Sequence, residues 1–326
     1  MRRPVALILT TLASFCALGV VPGAQAQPYP SQPIKVIVPH STGGSPDLLA
    51  RIVAQKLTES LGQQVLVETR IGAGGMVGTN AIIGAAPDGY SLLLADSSAY
   101  AITPHMYRNV SFDPLKGLIP IMPAATVPLL LVVHPGLGVS TLKEFLALAK
   151  AKPGMFYASS SSGTPHHLAM ELLKTRAGVN LVHVAYKGSS KAVLALITGE
   201  VSVAFLGTNA ALPQAKAGKL MILAVSTAHR IPLLPEVPGI AEAGIPGFEM
   251  NTTFGYFAPL NTPRAILDRL HAELDKAVRS AEVQQRLSAL GLATAPAMTS
   301  QQFAEFTHNE YRSFGALVSA IGARAD

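Results

Sequence analysis

The chain has 326 residues, of which 49% are hydrophobic and 13% charged, with a formal net charge of +6 at pH 7. That length buries one large core or two smaller ones. A mild positive excess without basic runs argues against nucleic acid as a partner, and a single cysteine, Cys16, excludes a disulfide framework and thiol-based metal sites.

Residues 1–26 join Arg2 and Arg3 to an apolar run over 5–21 and end on Ala24-Gln25-Ala26. This is the pattern of a cleavable secretory signal, so a mature chain starting near Gln27 and residing in the periplasm is expected. A membrane anchor is the competing reading; the A-x-A site and the lack of a stop-transfer flank weigh against it. Phe15 stands before Cys16 where a lipoprotein would carry a small residue. Without the signal the chain keeps 23 basic and 19 acidic residues, a balance of +4, and no cysteine.

The elements then alternate. The spacing predicts a buried strand at 34–39, an amphipathic helix at 46–61 and a strand at 64–69. A glycine loop leads into a helix over 72–86, and a strand at 90–96 ends in a loop at Ser97 and Ser98. The run 118–133 holds Pro120, Pro123 and Pro128 and reads as irregular until it ends in a strand, "LLLVVH". It is shorter than the roughly 20 residues a spanning helix needs. Helix 141–151 opens on a capping box, Thr141 with Glu144. Strands at 155–160, 181–186, 201–207 and 220–226 alternate with helices at 165–176, 188–197 and from about 209. After a Pro-rich segment, 232–246, come the strand "TFGYFAP", helices 263–279 and 281–290, and a last helix, 300–321, with a second capping box, Thr299 with Gln302.

Short apolar strands separated by helices predict an α/β fold with parallel-rich sheets covered by helices. The rhythm breaks at 108–128 and again at 232–255, which suggests that the chain leaves a first domain, builds a second and returns. The division expected is 27–125 plus 251–326 for domain 1 and 126–250 for domain 2.

Two helix starts share one logic: "GGSPDLLARIVAQKL" and "SGTPHHLAMELLK" each follow a strand with glycine, hydroxyl, proline and an amphipathic helix. Ser45 and Thr164 are placed at N-caps and Pro46 and Pro165 at N1. Helix N-termini leave backbone N–H groups unpaired and carry positive dipole ends, so two facing across a cleft would clamp an anion. Ordinary capped helices are the plainer reading of either one alone.

These residues also carry a family resemblance. The stretches "YPSQPIKVIVPHSTGGSPDLLAR", "QVLVETRIGAGGMVGTNAIIGAAPDGYSLLLAD", "YASSSSGTPHHLAMELL", "VHVAYKGSSKAV", "AKAGKLMILAVSTAHR" and "LPEVPGIAEAGIPGFE" span nearly the whole chain after the signal. They resemble the Bug-type (TctC-like) extracytoplasmic solute-binding proteins of the tripartite tricarboxylate transporters. The resemblance implies a two-lobed periplasmic-binding-protein (Venus flytrap, type II) fold that holds a small organic carboxylate between the lobes and serves the transporter's membrane subunits. It implies no enzymatic activity, and a monomer without a cofactor is expected. The chain departs from the family at His40-Ser41-Thr42, at Thr253 and at Leu206-Gly207, all near the expected pocket.

The candidate ligand-binding residues are Ser41, Thr42, Gly43, Gly44, Ser45 and Asp47 on the first loop, Ser97 and Ser98 on the third strand's loop, Ser159, Ser160, Gly163, Thr164 and His167 on the second jaw, and Thr208. The expected donors are backbone N–H groups of Gly43, Gly44, Ser45, Gly163 and Thr164 with hydroxyls of Ser41, Ser159 and Thr164. Asp47 and Arg51, one turn apart, also suit a simple ion pair.

Other chemistry has less support. "GAGGMVG" has Val77 where a dinucleotide fingerprint needs its third glycine. His166 and His167 are adjacent and no second histidine stands one turn away, which argues against metal. Ser159, His167 and Asp47 make a triad on paper, but no G-x-S-x-G elbow exists. A sensor feeding a signalling system is the alternative to transport. For the ligand, an aliphatic dicarboxylate, an amino acid and an aromatic acid stay open, with Tyr100 near Ser97-Ser98 making the last worth testing.

Overall fold

A computed structural model describes residues 29–108, 110 and 113–322. The signal read at 1–26 lies outside the described residues.

The chain runs β1 (Ile34–Val38), α1 (Ser45–Leu61), β2 (Val65–Thr69), α2 (Met76–Ile83), β3 (Ser91–Asp96), a π-helical turn (Ser98–Ile102), α3 (Thr103–Met106) and α4 (Pro114–Gly117). It continues through β4 (Leu118–Val133), α5 (Leu142–Ala151), β5 (Met155–Ser159), α6 (Pro165–Ala177), β6 (Leu181–Ala185), α7 (Ser189–Ile197), β7 (Val203–Gly207), α8 (Thr208–Lys216) and β8 (Met221–Val225). It closes with β9 (Asn251–Pro259), α9 (Arg264–Val278), α10 (Ala281–Ala289), β10 (Ala293–Thr294) and α11 (Ser300–Ile321).

The strands lie in the order β2-β1-β3-β9-β4-β7-β5-β6, with β8 and β10 also paired to β4. The outer strands match the expected βα alternation: β1 is parallel to β2 and β3, and β5 to β6 and β7. The centre does not. β9 runs antiparallel to β3 and β4, and β4 antiparallel to β7, β8 and β10.

β4 is the main departure from expectation. The proline run expected to be irregular is one continuous strand of 16 residues. Proline cannot donate to a ladder, so it is tolerated at bulges and edges. Here the register against β9 shifts between Pro120 and Met122 and between Pro123 and Ala125. Residues 118–128 of β4 pair with β9, and 129–133 pair with β7 and β8, so this strand carries the chain from one sheet into the other.

The return crossing at Met250 is stapled to it by the buried Ser226. Its Oγ accepts from the Leu129 N–H (2.9 Å) and donates to the Met250 carbonyl.

Each sheet is covered on both faces. α1, α9 and α10 bury Leu49, Val53, Leu270, Leu274 and Leu287 on one face of the first sheet, and Ile82, Tyr100, Phe257 and Phe303 fill the other. Phe145, Tyr157, Phe205 and Phe248 fill one face of the second sheet, and α7 and α8 cover the other. Helix α11 is 22 residues long, about 33 Å. It reaches from Phe303 in the first core to Val318 in the second, where Ile102 and Met106 join it.

Candidate functional site

A cleft of about 800 Å³ opens between the loops at the carboxyl ends of the strands. Five helices start on its wall. The N-cap residues of α1, α2, α6, α7 and α8 are Gly44, Gly75, Thr164, Gly188 and Gly207, and all five line the cleft. Each helix end presents first-turn N–H groups without intrahelical partners and about half a positive charge. Converging on one volume, they favour an anion.

On the first jaw, Gly44 and not Ser45 is the N-cap of α1, and Gly44 makes no side-chain cap bond. Ser45 is the first helical residue. Its Oγ bonds Asn209 Oδ1 at 2.5 Å, across 164 residues of sequence and onto the start of α8. The buried Asp47 turns inward: Oδ2 accepts from the Gly43 N–H (2.9 Å) and Oδ1 from Arg51 Nε (3.0 Å). The Gly44 N–H donates to the Ser41 carbonyl at 3.2 Å. The Gly43 and Gly44 amides thus shape the loop, and the helix dipole supplies the field. Thr42 pairs with Thr69, away from the cleft lining.

On the second jaw, Thr164 is the N-cap of α6. Its Oγ1 accepts from the His167 N–H (3.4 Å) and donates to the Ser161 carbonyl (2.8 Å). The Gly163 N–H donates to His167 Nδ1 at 3.3 Å, which places the ring proton on Nε2. His167 stacks on His183 with centroids 3.9 Å apart and planes 9° from parallel. Burial, reinforced by His183 and Lys174, holds His167 down at about 3; burial holds His183 at about 4.

Ser159 donates its hydroxyl proton to the Ser161 carbonyl (2.8 Å) while its Oγ lies 2.7 Å from His183 Nε2. With that proton committed, the ring nitrogen is the donor to Oγ and cannot serve as a base toward it. The triad drawn from sequence does not assemble: Ser159 meets His183, His167 holds Gly163, and Asp47 sits on the opposite jaw.

The cleft floor carries an ion pair, His40 Nε2 to Asp96 Oδ1 at 3.2 Å. Burial, the largest single influence, would depress His40, but the charge of Asp96 and its hydrogen bond together outweigh it and raise the imidazole above its ordinary value. Burial likewise pushes Asp96 up, and His40 with the Ser98 donors more than reverses it, leaving the carboxyl below its usual range. Ser97 and Ser98 are fully buried beneath the floor, and Ser98 donates to Asp96 from both its N–H (3.0 Å) and its hydroxyl. Thr208 Oγ1 lies behind the wall, donating to the Pro128 carbonyl at 3.3 Å.

The structure therefore brings Ser41, Gly43, Gly44, Ser45, Ser160 and Thr164 together on the cleft surface. Asp47, Ser98, Ser159, Gly163, His167 and Thr208 stand behind it as supports, Ser97 is buried there with its hydroxyl unpartnered, and Thr42 is exposed off the lining.

Sequence reasoning missed His166, Lys187, Ser189, Asn209 and Thr252, which line the same space. His166 Nδ1 is 3.2 Å from Ser160 Oγ, and burial holds it at about 4 against the pull of Asp96. Thr252 Oγ1 is buried with no hydrogen-bond partner. Gly188-Ser189 repeats the glycine-hydroxyl helix start of Gly44-Ser45, a signal that was there to be found. Thr252 left none. Val127, Leu129 and Phe254 add an apolar wall.

Among the described residues no group of three or more His, Cys, Asp or Glu side chains is placed to hold a metal ion, and no helix is long and apolar enough to cross a membrane.

Residues 49–323 match the family described as tripartite tricarboxylate transporter family receptor. The chain belongs to that family. The receptor is 35% identical to the protein BugT of Bordetella pertussis (strain Tohama I) over 320 residues, 97% of this chain and 98% of BugT. A solved R. palustris protein with adipate superposes with a TM-score of 0.87 at 30% identity, covering 90% of the receptor and 98% of that chain. The periplasmic binding protein BugD superposes with a TM-score of 0.86 at 29% identity, covering 91% and 99%. The receptor's fold is accordingly the two-lobed, mixed α/β fold of the periplasmic binding proteins, as the resemblance implied.

Proposed function

We propose that this receptor captures a small organic carboxylate in the cleft and delivers it to the membrane subunits of a tripartite tricarboxylate-type transporter. The observation that carries this reading is the convergence of five helix N-termini on one volume. First-turn amides of α1, α6, α7 and α8 act as donors, with hydroxyls of Ser41, Ser160, Ser189 and Thr252. Asp47, His167, Ser98 and Thr208 hold these groups in place. Charge-assisted bonds of this kind contribute roughly 1.5–3 kcal/mol each once water is excluded. The family's receptor description and the adipate held by a structural relative support the ligand class.

Domain 1, 27–125 plus 251–326, and domain 2, 126–250, close on the ligand as a monomer, turning about the β4 and Met250 crossings. The protein is exported by cleavage near Gln27, and N-terminal sequencing of the exported form that starts at Met1 would refute this. It binds and does not catalyse: the buried, proton-committed Ser159 offers no nucleophile.

Refolded, ligand-free protein should gain about 2.7 kcal/mol of stability at a carboxylate concentration 100 times Kd, read by thermal shift and calorimetric titration. A panel of aliphatic, amino and aromatic acids that yields no binder would sink the reading, as would chemical change in a bound acid.

A further inference from the structure

We propose that Lys187 reads a second negative group on the ligand at the cleft mouth, making this a site for dianions over monoanions. The inference rests on the carboxylate reading above and deepens it.

Among the described residues lining the cleft, Lys187 is the sole lysine or arginine. Its side chain is exposed and forms no ion pair or hydrogen bond. His40 on the cleft floor is held by Asp96, and Arg51 on α1 by Asp47. An unpaired ammonium on a cavity wall is free to meet a ligand charge.

Its backbone is held on both sides. The Tyr186 N–H donates to the Ser159 carbonyl at 3.0 Å and the Gly188 N–H to the Ser160 carbonyl at 2.9 Å, while the Tyr186 hydroxyl is tied to Glu200 at 2.7 Å. Gly188 then faces the opposite jaw: a Cβ there would lie 3.0 Å from Ser41 Cβ. Lys187 therefore stands where the two jaws meet, one residue from their contact. The helix N-termini treat any carboxylate alike, because their donors are neutral and their field is diffuse. A point charge at the mouth distinguishes a ligand that carries a second anionic group at its far end. Being solvent-facing, this contribution is modest and screened by salt.

Lys191 supplies the control. It sits four residues on, exposed and likewise unpaired, but off the cleft lining. The experiment is calorimetric titration of the full mature protein and its K187M and K191M variants with two matched pairs, adipate with hexanoate and succinate with butyrate. At low ionic strength, K187M should weaken the diacid of whichever pair binds by about three- to fivefold and leave its monoacid essentially unchanged. K191M should leave both unchanged, and added salt should narrow the difference between diacid and monoacid in the wild type. Equal loss for diacid and monoacid in K187M, equal loss in K191M, or no loss in K187M would overturn the assignment while leaving carboxylate binding intact. A wild type that binds none of the four acids, nor any other carboxylate, would remove the underlying reading as well.

Discussion

At Gly188 the backbone geometry and the close approach of Ser41 depend on the same atom being absent. Its φ of 103° and ψ of 159° fall where glycine is almost alone in being tolerated. A side chain there costs about 1–3 kcal/mol from backbone strain, and its Cβ would press on Ser41 across the cleft. Gly188→Val should leave a folded protein by circular dichroism and weaken binding of the cognate carboxylate at least tenfold in calorimetric titration. Wild-type affinity would mean that the jaws need not meet at Ser41 and Gly188. The same scale shows what sequence could disclose about the site. A glycine and hydroxyl before a helix is a local signature, so Ser41, Gly44, Ser45 and Thr164 were readable. The roles of their neighbours were not, because tertiary pairing decides them. Asp47 consumes the Gly43 amide and Ser45 reaches Asn209, and neither bond follows from spacing. Thr252 and Lys187 reach the cleft only through the path of β9 and the turn after β6.

Elements show the same division between local and distant causes. Thr141 with Glu144 and Thr299 with Gln302 form capping boxes as their spacing predicted, since both partners lie within one turn. β4 was illegible because proline punctuation and bulged strand look alike until the partner strand is known. Its function is to cross between the sheets, and Ser226 is what ties the two crossings together. Ser226→Ala would strand the buried Leu129 N–H and Met250 carbonyl, each without a water-accessible substitute. Unmet buried polar groups cost about 1–3 kcal/mol apiece. Urea unfolding should show a loss of about 2–4 kcal/mol, a fall that an unchanged midpoint would contradict. Ligand affinity should shift as well, because the crossing strands carry lobe movement in this reading.

Across the whole molecule, buried titratable groups set an optimum for stability near neutrality, and the sign follows group by group. His166, His167 and His183 are held at about 4, 3 and 4, chiefly by burial. An unfolded histidine takes up its proton near pH 6.5. Between about 6.5 and 4 the unfolded chain therefore binds more protons than the native one, and stability falls as pH falls. Two groups act in the other direction. Burial raises Glu310 to about 7, with the Tyr100 hydroxyl donating to it against that trend, so the native state holds a proton there that the unfolded chain releases above about 4.5. His40 is raised by Asp96, so its stabilisation is complete below about 6.5 and is lost as pH climbs through its folded value. At about pH 5 three histidines oppose one glutamate, which leaves a net uptake of about two protons on unfolding. Above about 6.5 the three histidines no longer contribute, and Glu310 and His40 turn the slope downward. Urea unfolding from pH 4.5 to 8.5 should trace a maximum near pH 6.5–7. In His183→Gln, whose amide can still donate to Ser159, the acid limb should flatten by about one proton while the alkaline limb stays as in the wild type. A stability that climbs steadily through pH 8, or an acid limb unmoved by the substitution, would show that these rings are not carried neutral into the core.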